Sequence, residues 1–255
     1  TSSALEFWLE SSRPDKTMLE RARRLRERLV QLRISKYNIG PAFTLAPAAK
    51  NKRVILVPGQ VEEDASVQYG STEIRTNLAL LKTVRRANPD AFIVFKPHPD
   101  LVAGNRPGVV LFPQLNNLCD QVVIDADIID CIQKADEVHT MTSLSGFEAL
   151  LHGKQVYCYG LPFYAGWGLT HDRLSVSRRT RRLSLDELVY GALIHYPRYI
   201  RPDTLTSTSP ENVVEILQQA HLNTKTRART NLVTKQWGKF IELSKVFIFR
   251  RGYEQ

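Results

Sequence analysis

Residues 91–100 read Ala91-Phe92-Ile93-Val94-Phe95-Lys96-Pro97-His98-Pro99-Asp100, an apolar run that opens directly into a cation, an imidazole between two prolines, and a carboxylate. Five such apolar residues suit a buried strand. Proline fixes φ at about −65° and biases the residue before it toward extended backbone, so His98 is expected in a stiff, non-helical turn that aims its side chain. Upstream, a second apolar run from Arg53 to Val57 ends in Pro58, Gly59 and Gln60, with Glu62, Glu63, Asp64, Ala65 and Ser66 behind it; a helical pattern from Thr76 to Ala87 separates the two runs. Strand, helix and strand in that order predict a parallel α/β unit, whose ligands bind beyond the carboxyl ends of the strands. Both polar loops are therefore expected to open on one crevice.

The pattern extends outward from this unit. Asp127 to Lys134 reads as a short helix and Glu137 to Thr140 as a strand. Met141, Thr142, Ser143, Leu144, Ser145 and Gly146 then lead into a helix from Phe147 to Leu151, with Gly153 behind it. Another strand, Gln155 to Tyr159, runs into the glycine and aromatic loop from Pro162 to Gly168. A short strand is expected at Val109 to Phe112, after the loop holding Gly104, Asn105, Arg106, Pro107 and Gly108. Ser184 with Glu187 three residues on forms a capping-box signature for a helix running to Ile194, and Ser209 with Pro210 opens another reaching Leu222. Pro197 and Pro202 bracket a linker between them. The sequence thus predicts a helical lead-in over 1–50, a Rossmann-like nucleotide-binding domain with C-terminal helices over 51–222, and a basic amphipathic tail over 223–255 carrying Trp237, Phe240, Ile241, Phe247 and Phe249. In the lead-in, Leu19, Ala22, Leu25, Leu29 and Leu32 recur at helical spacing.

The 255 residues, 43% of them hydrophobic, suffice for one large or two modest cores. A chain that starts at Thr1 is expected to be a fragment or a processed product. No apolar window of about 18 residues and no leader pattern is seen, so a cytoplasmic chain is expected, with peripheral attachment to the inner membrane as the alternative for the tail. Cys119, Cys131 and Cys158 lack CxxC spacing and are expected to be unpaired thiols. The net charge of +9 is concentrated in Arg21 to Arg33, Arg178 to Arg182 and Lys225 to Arg251, outside the two strand-end loops. Nucleic acid, anionic lipid and anionic sugar all suit such a cationic periphery. Nucleic acid is disfavoured, because no zinc-ligand spacing, ribonucleoprotein signature or recognition-helix pattern is present.

Several residues carry chemistry in this frame. His98 is placed to donate to a phosphate oxygen and to supply a proton as that group departs, a role suited to a pKa near ~6.5. The Glu62, Glu63, Asp64 cluster is either a solvated acidic turn or the source of a carboxylate that acts as nucleophile or stabilises an oxocarbenium ion. Ser143 and Ser145 either cap the helix behind them or leave its amides to an anion. Glu148 in that helix either bonds a ribose hydroxyl or complements the helix dipole. The Pro162–Gly168 loop is either a crevice wall or a packed turn. His139, His152, His171, His195 and His221 lack ligand spacing among themselves, and no metal is assigned.

These residues resemble a known family. Pro58 to Ser66, Lys96 to Asp100, Ala135 to Gly153, Tyr159 to Leu169 and Leu183 to Tyr199, in that order and spacing, are similar to the KpsC-type capsule polysaccharide β-Kdo transferases, over roughly Lys36 to Leu217. The resemblance implies the donor half of a GT-B glycosyltransferase that uses CMP-Kdo with retention of anomeric configuration, with no cofactor. It implies Asp64 as covalent nucleophile and His98 as the motif histidine. Gln60, Lys96, Pro99, Thr142, Ser143, Ser145 and Glu148 are expected against substrate, Ser143 and Ser145 on the phosphate. Lys96 or Arg75 is expected to meet the sugar's own carboxylate. The partners implied are CMP-Kdo and a glycolipid or oligosaccharide acceptor, with an anionic membrane surface and capsule-assembly proteins as candidates for the basic tail. A GT-B enzyme has two Rossmann-like halves, and one is evident here. The alternative reading is a non-catalytic CMP-sugar-binding or docking module of the capsule export machinery.

Overall fold

The computed structural model describes residues 2–35, 40–102 and 115–227, in two compact units: Thr1–Arg13 with Ser35–Leu188, and Pro14–Ile34 with Val189–Gln255. The helical lead-in is divided between them, α1 (Ala4–Ser11) in the first and α2 (Lys16–Gln31) in the second. The expected strand at Val109 to Phe112, its preceding loop and the aromatic part of the basic tail lie outside the described residues.

The first unit is built on a parallel sheet of β1 (Val54–Pro58), β2 (Phe92–Lys96), β3 (Gln121–Val122), β4 (Glu137–Thr140), β5 (Gln155–Cys158) and β6 (His171–Asp172), in the order β3-β2-β1-β4-β5-β6. Every residue of β1 and β2 is buried, as expected of central parallel strands covered on both faces. The connection contains α3 (Ala65–Gly70) and α4 (Asn77–Ala87). Thr76 caps α4 by accepting the Ala79 amide at 3.1 Å, and Leu80, Leu81 and Val84 pack with Ile55, Val57, Ile93 and Phe95. α5 (Pro99–Val102) follows β2, α6 (Ile128–Lys134) precedes β4, and α7 (Leu144–Leu151) links β4 to β5.

In this unit three features depart from the sequence reading. α3 stands where a polar loop is expected, because six residues with Val67 alone buried give no periodic signal. α7 begins at Leu144 rather than Phe147, so Ser143 is its N-cap and Ser145 and Gly146 lie within its first turn. β3 and β6 are two-residue edge strands too short to show alternation.

The second unit contains α2, a turn of π-helix (Tyr190–His195), an antiparallel pair β7 (Tyr199–Ile200) and β8 (Ser207–Thr208) where a linker is expected, and a long helix (Pro210–Arg227). Arg21 grips Glu211 through two hydrogen bonds at 2.7 and 3.0 Å, and this hydrogen bonding holds the Glu211 carboxyl down at about 2. The charge of Arg21 is thereby spent within the fold. None of the described helices is long and apolar enough to cross a membrane.

The three cysteines are free thiols, and Cys131 and Cys158 are 1% exposed. Burial pushes the Cys131 thiol up to about 11 and Cys158 higher still, so both are packing residues and not nucleophiles. His139 is also buried. Its Nε2 lies 3.1 Å from Glu137 Oε2, its Nδ1 lies 3.1 Å from the Tyr159 hydroxyl, and Arg53 holds the other Glu137 oxygen at 2.8 Å. A carboxylate only accepts, so Nε2 carries the proton and Nδ1 accepts from Tyr159. Desolvation lowers the His139 pKa from 6.5 to about 4, against the opposing pull of Glu137. Above pH 6.5 the ring is neutral in folded and unfolded chains; below it the unfolded chain takes up a proton that the folded one refuses until about pH 4. Urea midpoints are therefore expected to fall between pH 6.5 and 4, and the slope to flatten in His139→Gln.

Candidate active site

The sheet order places the switch between β1 and β4, and ligands of open α/β sheets bind outside the carboxyl ends of the strands at such a point. Three segments leave the sheet there: the turn after β2, the acidic loop after β1, and the start of α7 after β4.

The first two touch. The Gly59 amide donates to the Lys96 carbonyl at 2.8 Å, and a Cβ at Gly59 would lie 3.1 Å from both Pro97 Cα and the His98 amide nitrogen. Any side chain there would press the loops apart. His98 is held in its turn by the Asp100 amide, which donates to Nδ1 at 3.2 Å, leaving the proton of the neutral ring on Nε2. The Asp100 carboxylate is 3.8 Å from Nδ1, near but outside hydrogen-bond range. Pro99 is exposed at the start of α5.

Lys96 is less accessible than its place at the strand end suggests. It is 8% exposed, its Nζ is 3.5 Å from the Ile124 carbonyl, and desolvation lowers its pKa against the pull of Cys131, Asp125 and Asp127. Arg75 is exposed, with Nε donating to the Ser71 carbonyl at 2.8 Å. Of the two cations proposed for a sugar carboxylate, Arg75 is the one solvent reaches.

The acidic cluster separates into distinct roles. Glu62 Oε1 accepts from the Asn77 amide at 2.8 Å and its side chain at 3.2 Å, so this carboxylate secures the start of α4. Glu63 and Asp64 are exposed. Asp64 sits at the N-cap of α3 and its side chain makes no capping bond, while its backbone carbonyl accepts from Val67 and Gln68 at 2.9 and 3.0 Å.

At the start of α7, Ser143 Oγ accepts the Ser145 amide at 3.2 Å, the Ser143 carbonyl accepts the Gly146 amide at 3.1 Å, and the Ser143 amide donates to Thr140 Oγ1 at 3.1 Å. Ordinary capping therefore engages these amides, and the hydroxyls of Thr142 and Ser145 are the half-buried polar groups beside them. Gln60 is 6% exposed; its side chain joins Thr140 and Thr142, so it ties the end of β1 to the end of β4. Glu148 is buried on α7, 7% exposed.

The Pro162–Gly168 loop is a packed turn: Tyr164, Ala165 and Trp167 are fully buried, and the Tyr164 hydroxyl donates to the Ser143 carbonyl. Sequence reasoning missed Thr140, Asn77 and Tyr164, which hold the loops in place. Their signal is weak, a threonine ending a strand, an asparagine opening a helix and a tyrosine in a glycine-rich run. Among the described residues, none groups three metal-binding side chains.

A family model described as "Capsule polysaccharide biosynthesis protein" matches residues 10–200. The capsule polysaccharide modification protein LipA of Neisseria meningitidis serogroup B is 53% identical over 217 residues, covering 85% of this chain and 31% of that protein. The lipopolysaccharide-processing protein LpsZ of Rhizobium meliloti is 42% identical over 186 residues, covering 72% of this chain and 42% of its own length. The chain thus spans about a third of the length of LipA. Among solved structures, the Thermosulfurimonas dismutans KpsC β-Kdo 2,7 transferase superposes with a TM-score of 0.73 at 44% identity, covering 87% of this chain and 67% of that one. The β-Kdo 2,4 transferase of the same KpsC gives 0.75 at 31% identity, covering 85% and 68%. With three quarters of its length inside the family model, the chain belongs to the capsule polysaccharide biosynthesis protein family.

Proposed function

We propose that this chain is the donor-binding domain of a retaining GT-B transferase that moves Kdo from CMP-Kdo to a sugar acceptor in capsule assembly. One observation carries the reading: the Asp64 loop and the His98 turn diverge from a shared contact at Gly59, beside the start of α7. A sugar nucleotide lying across that point meets a carboxylate and an imidazole from neighbouring strand ends.

In the proposed reaction, an Asp64 carboxylate oxygen attacks the anomeric carbon. The bond from that carbon to the phosphate oxygen breaks, its electron pair leaves with CMP, and a glycosyl ester forms on Asp64. His98, donating from Nε2, stabilises the departing phosphate. An acceptor hydroxyl then attacks the same carbon and gives up its proton to solvent water, the ester bond breaks with its electron pair on oxygen, and the carboxylate is restored. Two inversions give retention. Arg75 is assigned to the sugar's carboxylate.

Intact-mass spectrometry of the chain incubated with CMP-Kdo tests this. The expected result is an increment of one Kdo residue, with CMP released in equal amount. Release of free Kdo without an adduct would favour a nucleotide-sugar hydrolase, and CMP binding with neither product would favour a binding module. His98→Ala is expected to slow adduct formation about 10²-fold, the usual scale for loss of one acid–base group. A rate within twofold of the parent would remove His98 from the reaction.

A further inference from the structure

Gln60 is expected from the sequence to touch substrate, yet its side chain is used inside the protein. Its Oε1 accepts from the Thr142 amide at 2.9 Å and from the Thr140 hydroxyl at 3.1 Å, and its Nε2 donates to Thr142 Oγ1 at 2.9 Å. Its backbone is clasped by Asn77, whose Oδ1 accepts from the Gln60 amide at 2.9 Å and whose Nδ2 donates to the Gln60 carbonyl at 2.8 Å. Asn77 and Thr140 are fully buried.

The direction of these bonds follows from chemistry alone. A backbone amide only donates, so the atom facing Thr142 N is the Gln60 oxygen and the atom facing Thr142 Oγ1 is the NH₂ group. Thr140 Oγ1 already accepts the Ser143 amide, and its own hydrogen goes to Gln60. Thr142 Oγ1 accepts from Gln60, so the Thr142 hydrogen is directed away from the clasp. The Thr142 side chain is half-buried at the start of α7, where the Ser145 and Gly146 amides are taken by the Ser143 hydroxyl and carbonyl.

We propose that Gln60 is a positioning residue: it turns the Thr142 hydroxyl hydrogen outward, to an anionic oxygen of the bound nucleotide, and through Asn77 it ties that hydroxyl to the Asp64 loop. The inference rests on the sugar-nucleotide reading above and adds which hydroxyl serves the phosphate and what aims it.

Calorimetric titration of the whole chain with CMP tests it. Thr142→Val is expected to weaken CMP binding about 10- to 100-fold, the range for a hydrogen bond to a charged group, and Thr142→Ser to stay near the parent. Gln60→Met is expected to weaken binding by a similar factor, and Gln60→Met with Thr142→Val to be no weaker than Thr142→Val alone. Circular-dichroism melts identify any variant that fails to fold; should Gln60→Met be one, the Thr142 pair decides. Thr142→Val binding within twofold of the parent overturns the proposal, and so do additive losses in the double variant, which would make Gln60 a direct ligand. If the parent chain itself does not bind CMP, the sugar-nucleotide reading falls and this inference with it; binding without coupling removes only this inference.

Discussion

Asp64→Asn is expected to abolish covalent capture of Kdo while leaving the fold intact. The three carboxylates of the acidic loop do not have equivalent surroundings. Glu62 is committed to the amide and side chain of Asn77, so it is unsuited to stand in for a lost nucleophile. Asp64 holds α3 through its backbone carbonyl, which accepts from Val67 and Gln68, and the asparagine variant keeps those backbone bonds and the shape of the side chain. Removing a catalytic nucleophile costs on the order of 10⁴-fold or more in rate, whereas an exposed isosteric change stays within about 0.5 kcal/mol in stability. Intact-mass kinetics with CMP-Kdo and a urea melt read the two effects separately. Glu62→Gln is the informative contrast, because it disturbs the α4 start and should lower stability while retaining an adduct. An Asp64→Asn protein that still acquires the Kdo increment at the parent rate would take the nucleophile away from Asp64.

Most of the central sheet is legible in the sequence because its strands are fully buried and read as unbroken apolar runs. Arg53 to Val57 and Ala91 to Phe95 each fall one residue from the observed β1 and β2, within the usual uncertainty of a strand end. What escapes notice is whatever depends on partners distant in sequence. Gln60 reads as a polar loop residue that should face a ligand. The bonds that occupy it come from Thr140 and Thr142, some 80 residues on, and nothing local announces them. The Pro162–Gly168 loop is ambiguous for the same reason, since only the fold shows Tyr164 bonded to Ser143. The basic run from Arg178 to Arg182 is the clearest divergence. As sequence it suggests a cationic face for an anionic partner, but Arg179 and Arg181 are spent on α1 and on the packed loop.

That arrangement sets the largest stability effect expected of a single substitution. Glu6 on α1 is 6% exposed and accepts from both Arg178 and Arg179; Arg179, with 7% of its side chain exposed, also donates to the Pro162 and Ala165 carbonyls at 2.8 and 2.6 Å and lies over the Trp167 ring at 5.5 Å. Glu6→Ala would leave the Arg179 guanidinium buried without its carboxylate, a change that costs about 3–5 kcal/mol when one partner of a buried pair is removed. Glu6→Gln, which keeps an acceptor but no charge, should lose less. The same pair predicts a pH response. Desolvation works to raise the Glu6 pKa, but the hydrogen bonds and charges of Arg178 and Arg179 outweigh it and the pKa lies below 4.5. A depressed carboxylate stabilises the fold in full above its unfolded pKa and loses that contribution as pH falls through the folded value. Parent and Glu6→Ala melting curves should therefore differ most at neutral pH and converge as the medium is acidified below about 4.5. Curves that stay parallel to pH 3 would show that α1 is held by packing of Leu5 and Leu9 and not by charge.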